Sequence, residues 1–181
     1  MSAPVPAGFS PVLLLMIGLP GSGKSTLIKE MGWKPYTIEP DQLRLEHAGL
    51  SLDEEGNEMI SQAENNKVWR LTEAGLKARL EAGKPVVLDA TNVRNQNLRP
   101  ILALAEKYQA PVYAVDMMRG CDLETCLKRQ PARGFRQVPE EVIRRMHTFY
   151  QNLKLPETVK VFSPAQVREG ALQKVLPPAE N

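Results

Sequence analysis

The stretch "GLPGSGKST", Gly18 to Thr26, follows the apolar run Val12 to Ile17 and most tightly limits what this chain can fold into. A surface turn needs neither so many glycines nor a lysine followed by two hydroxyls. The spacing is that of a phosphate-binding loop: Gly18, four residues, then Gly23, Lys24 and Ser25. Glycines let successive backbone N–H groups face one concavity that no side chain blocks. A helix starting there adds the positive end of its dipole. On this reading Gly18, Pro20, Gly21, Ser22, Gly23, Lys24, Ser25 and Thr26 bind the phosphates of a nucleoside triphosphate. Lys24 reaches the β- and γ-phosphates, and the Ser25 hydroxyl ligates Mg²⁺.

The remaining pattern alternates strand and helix. Strands are expected over 11–17, 35–39, 85–92, 111–117 and 158–162. The expected helices follow the loop up to about Gly32 and then run over 42–48, 58–82, 96–108, 122–130 and 140–153. Asp41 is the expected N-cap of the second, Gly83 the stop of the third, and 49–57 a turn region. Buried strands alternating with helices imply an α/β fold, a parallel β-sheet flanked by helices, of the P-loop NTPase kind. Its ligands gather at the carboxyl ends of the strands. The 181 residues accommodate one such domain, placed at 11–170, with a loose arm over 1–10 and a tail over 171–181.

Charge is nearly balanced at +2 but unevenly spread. The segment 39–64 is acidic, holding Glu39, Asp41, Glu46, Asp53, Glu54, Glu55, Glu58 and Glu64 against Arg44. The segment 128–145 is basic, with Lys128, Arg129, Arg133, Arg136, Arg144 and Arg145 against Glu140 and Glu141. Cys121 and Cys126 are too few for a disulfide framework, and His47 and His147 stand alone, which argues against a His/Cys metal site. The apolar run is too short to span a bilayer, and the first residues lack the basic start of a signal peptide. A cytoplasmic protein with no membrane partner is expected.

Three polar sets follow strand ends or break helices. In "EPDQLR", Asp41 can take a proton from a hydroxyl and Arg44 can hold a phosphate; the same pair also suits a helix cap with a local ion pair. In "VVLDATN", Asp89 suits a Mg²⁺ carboxylate, while Thr91 and Asn92 remain open, Asn92 between substrate contact and helix cap. In "RQPARGFR", Pro131 and Gly134 interrupt the helix, so Arg129, Arg133 and Arg136 lie on a segment able to close over a transferring phosphoryl group.

Together "GLPGSGKST", "DQLR", "DATNVRNQNLRP" and "RQPARGFRQVPEEVIRRM" resemble, over about residues 12 to 153, the 5′-kinase domain of the phage-type polynucleotide kinases. That resemblance implies an adenylate-kinase-like fold with a short lid, and transfer of the γ-phosphate of ATP to a nucleic-acid 5′-OH end. It implies Asp41 as general base and Arg44 on the acceptor's 3′-side phosphate. Arg129 and Arg133 become the lid clamp on ATP, and Asp89 falls on the family's other functional aspartate. Lys24, Asp41, Arg129 and Arg133 form the expected catalytic set, and Asp41, Arg44, Asp89 and Asn92 the acceptor set. A kinase of a small hydroxylated molecule, or of a hydroxymethylated base in DNA, stays open because of the acidic segment. A nucleotide-binding ATPase or switch is the alternative of another class. Homo-oligomerisation is left open.

Overall fold

A computed structural model describes residues 10–52, 54 and 58–178. The expected arm therefore lies outside the described residues apart from Ser10, as do the last three residues of the expected tail. The first strand, β1 (Leu13–Ile17), is buried along its whole length. It pairs in parallel with β5 (Val86–Asp89) on one side and β6 (Val112–Asp116) on the other. Edge strands β2 (Thr37–Ile38) and β7 (Lys160–Phe162) complete a parallel five-stranded sheet of order β2-β5-β1-β6-β7. All five carboxyl ends thus open on one edge. The pairing of Met16 with Asp89 and of Ile17 with Asp116 sets two carboxylates level with the exit of β1.

Alternation along β1 builds two layers. Leu13, Leu15 and Ile17 face a core with α3 (Asn65–Glu81), α4 (Asn95–Lys107) and α6 (Glu140–Gln151). Leu14 and Met16 face the other, with α1 (Lys24–Glu30) and α7 (Pro164–Arg168). A strand covered on both faces has no polar side, which is why its sequence is a continuous apolar run.

Three expectations are corrected. Residues 171–178 are not part of a tail: Leu172 and Leu176 are 1% exposed, and the Trp33 indole N–H donates to the Leu176 carbonyl at 2.9 Å. Burying each leucine is worth roughly 1.5–3 kcal/mol, which favours docking of the segment. The long helix starts at Asn65 rather than at 58, because β4 (Glu58–Ile60) pairs antiparallel with β3 (Leu50–Leu52), Leu50 opposite Ile60. The expected turn region therefore contains a strand, β3, of a hairpin; residues 53 and 55–57 lie outside the described residues. Asp41 is not the cap of α2 (Pro40–Ala48): Glu39 takes that position and Pro40 the first helical one, where its missing N–H costs nothing.

Candidate active site

At the carboxyl edge lies a cavity of about 690 Å³, within the range of roughly 300–1,000 Å³ usual for small-molecule sites. Its floor is the glycine-rich turn between β1 and α1. Residues Pro20 to Thr26 line it, while Gly18 lies behind them, its N–H donating to the Thr91 carbonyl at 3.0 Å. Gly21 has φ +89, and a Cβ there would stand 2.8 Å from the Cys126 carbonyl and 2.9 Å from Gln130 Nε2. The turn is thus closed from behind by α5 (Leu123–Lys128) and by the kinked 3₁₀ segment Gln130–Arg136 that follows it.

Lys24 Nζ donates to the carbonyls of Gly18, 2.9 Å, and Leu19, 3.0 Å. Burial pushes the Lys24 ammonium below its ordinary value, and the Asp89 carboxylate opposes that shift. Beside it, Ser25 Oγ donates to Asp89 Oδ2 at 2.8 Å. Burial raises the Asp89 carboxyl above its ordinary value, with Lys24 and Ser25 pulling it back. Asp41 also lines this cavity.

Phosphates fit this cradle. The Ser22 hydroxyl is buried with no hydrogen-bond partner among the described residues, and the half-buried Lys24 ammonium beside it donates to two backbone carbonyls. A divalent cation fits the Ser25–Asp89 pair together with phosphate oxygens; among the described residues no cluster of three or more His, Cys, Asp or Glu could hold a metal by itself.

The arginines of "RQPARGFR" diverge. Arg129 Nη1 donates to the Gly21 carbonyl at 3.0 Å. Arg133 lines the cavity, and its Nη1 donates to Gln130 Oε1 at 3.1 Å. Burial lowers the Arg133 pKa while Asp41 and Asp89 act against that, so both carboxylates lie within its field. Arg136 also lines the cavity and pairs there with Glu39. The kink falls at Gly134, with φ 55 and ψ −132.

Two expected contacts are placed elsewhere. Asn92 is buried, and its amide donates to the Met16 carbonyl at 2.8 Å and the Leu88 carbonyl at 3.3 Å. It stitches β1 to β5 and does not line the cavity; nor is it the cap of α4, which is Arg94. Arg44 is also off the cavity lining. Its guanidinium pairs with Asp41, and Nη2 donates to Asn65 Oδ1 at 2.8 Å.

Sequence reasoning passed over Glu39, Gln130 and the far wall formed by Arg119, Ser163, Pro164 and Arg168. Gln130 carries no sequence signal: its amide N–H groups reach the carbonyls of Pro20, 2.9 Å, and Cys126, 2.8 Å, and its oxygen accepts from Val138 N. Ser163 was legible. It follows the last strand, and "SPAQ" spells the capping box that Ser163 and Gln166 form.

Residues 13–153 match the AAA domain family. Among solved structures, Chaetomium thermophilum Kti12 in complex with ADP-AlF3 is similar at 15% identity and TM-score 0.61, over 93% of this chain and 100% of that one. A sugar kinase from Janibacter sp. HTCC2649 is similar at 19% identity and TM-score 0.55, over 96% of this chain and 99% of that one. At these identities the likeness is one of fold. A chain of the Pnkp1/Rnl/Hen1 complex is 27% identical with TM-score 0.53, over 67% of this chain and 39% of its own length. No helix among the described residues is long and apolar enough to cross a membrane.

Proposed function

The chain belongs to the AAA domain family and has the architecture of a P-loop kinase, and from that premise we propose that it transfers the γ-phosphate of ATP to the 5′-hydroxyl end of DNA or RNA. The observation that carries the transfer is the placing of Asp41 in the same cavity as Lys24, Ser25, Asp89 and Arg133. The four motif blocks, and the 27% identity to a chain of the Pnkp1/Rnl/Hen1 complex, support a polynucleotide acceptor.

In the proposed reaction the acceptor hydroxyl gives its proton to the Asp41 carboxylate as its oxygen bonds to the γ-phosphorus. The bond to the β–γ bridging oxygen breaks, and ADP leaves with the electron pair. Lys24 and Arg133 stabilise the charge on the phosphoryl oxygens, where preorganised donors in a water-poor site act most strongly. Ser25 and Asp89 would hold Mg²⁺, whose charge offsets that of the phosphates. Arg129 fastens the lid to the loop through the Gly21 carbonyl.

A second reading, a small hydroxylated acceptor, is favoured by Arg44: its guanidinium is engaged by Asp41 and Asn65 and stands off the cavity. Radiolabelled ATP offered with a 5′-OH oligonucleotide, its 5′-phosphorylated form, a nucleoside and no acceptor separates the readings. Label is expected on the 5′-OH oligonucleotide alone or far above the nucleoside. Equal labelling of the bare nucleoside, or phosphate release without labelling, overturns the polynucleotide reading.

A further inference from the structure

Arg133 is carried by a short segment fixed at both ends. At one end Gln130, 5% exposed, grips the phosphate loop through the Pro20 carbonyl and α5 through the Cys126 carbonyl. At the other, past the Gly134 kink, Arg136 Nη1 binds Glu39 Oε1 and its Nη2 donates to Gln42 Oε1 at 3.3 Å. Glu39 and Gln42 belong to the start of α2, on either side of Asp41. The Glu39 side chain is 9% exposed, and Lys34 Nζ occupies its second oxygen at 3.0 Å. Its carboxylate is therefore saturated from both sides and makes no capping bond to α2.

We infer that Glu39 and Arg136 are a positioning pair: their contact, across 97 residues of chain, sets the Arg133 guanidinium and the Asp41 carboxylate in one frame, so that the phosphoryl group and the hydroxyl it is passed to are held by one rigid unit. A phosphate loop held by Gln130 alone can bind the donor. Alignment with the acceptor needs the second anchor, and misplacement by about 1 Å can cost on the order of a hundredfold. The inference rests on the proposed transfer and deepens it, by naming what aligns its two halves.

The test is a double-mutant cycle of Glu39→Ala and Arg136→Ala, with Glu39→Gln as the conservative variant. Each single alanine is expected to lower kcat for transfer about tenfold or more, with KM for ATP little changed. The double variant should be no slower than the slower single one. Glu39→Gln, which still accepts from Arg136, should recover part of the loss. Single effects that multiply in the double variant, a rise in KM for ATP at unchanged kcat, or unchanged kinetics would each overturn the pair. Amide hydrogen exchange of the intact chain gives a readout free of activity: both alanine variants should speed exchange in 37–48 and in 130–137 together. Faster exchange in only one segment, or in neither, also overturns it. Wild type that transfers to no hydroxyl acceptor brings down the proposed function instead, and the exchange result still decides the pair.

Discussion

Ser25 Oγ donates to Asp89 Oδ2 at 2.8 Å, joining the start of α1 to the end of β5 across 64 residues of chain. The contact sits beside Lys24, whose ammonium feels the Asp89 carboxylate. A hydroxyl and a carboxylate held together at the mouth of a phosphate loop are the pair proposed to meet a divalent cation beside the phosphates.

Asp89→Asn and Lys24→Ala are each expected to lower transfer by roughly a hundredfold or more, since Lys24→Ala removes a cation aimed at the phosphates and Asp89→Asn a carboxylate that would hold Mg²⁺. Thermal unfolding should leave both folded at the assay temperature. Titration with Mg²⁺ should show a raised requirement in Asp89→Asn. Activity within a few-fold of wild type in Lys24→Ala would withdraw the phosphate-loop assignment.

Arg129→Ala and Arg133→Ala should each slow transfer about tenfold or more. Lysine at either position should restore only part, because it lacks the planar fork. Rates equal to wild type in both alanine variants would reduce the segment to a solvated basic turn.

Asp41→Asn keeps the shape and cannot take a proton, so it should lower kcat with little change in acceptor KM. Arg44→Ala tests the phosphate anchor. A defect larger for a nucleoside 3′-phosphate or oligonucleotide than for a bare nucleoside supports the polynucleotide acceptor. A defect blind to that phosphate matches the guanidinium's present engagement with Asp41 and Asn65, and favours the small acceptor.

Cys121 and Cys126 lie with their sulfurs 3.5 Å apart, and Cys126 is fully buried. Burial, together with its hydrogen bond to Cys121, pushes the Cys126 thiol up to about 12. At pH 8 it stays protonated and unreactive. Iodoacetamide followed by peptide mass analysis should label Cys121 ahead of Cys126; faster labelling of Cys126 contradicts this placement.

Glu39 also makes stability depend on pH. Its burial favours the neutral acid, but the hydrogen bonds from Arg136 and Lys34 outweigh that and hold the carboxyl below its ordinary value of 4.5. A carboxylate with a lowered pKa in the folded state stabilises the fold above its unfolded pKa, and that contribution fades as pH falls through the folded one. Glu39→Gln should therefore lose on the order of 1–3 kcal/mol at pH 7. The gap from wild type should narrow steadily below pH 4.5, read by urea unfolding at several pH values. A gap independent of pH would mean that shape, not charge, holds the contact.

Local chemistry made much of this protein legible from its sequence. The phosphate loop is a run of nine residues whose conformation depends on its own glycines, and the strands announce themselves as apolar runs because both faces of the sheet are covered. Asp89 could be read from its place at the end of such a run. Other features depend on residues that meet only after folding. Ile60 fits a helical spacing, yet it is held in a hairpin by Leu50. Leu172 and Leu176 read as tail until Trp33 offers them a surface. Asn92 suits an acceptor site until its amide finds the Met16 carbonyl, 76 residues away. The Glu39–Arg136 pair and the grip of Gln130 on Pro20 span 97 and 110 residues. Periodicity and capping report on neighbours within about one helical turn. Which buried polar group answers which is decided by packing, because a polar atom taken from water accepts whatever partner the fold brings within reach.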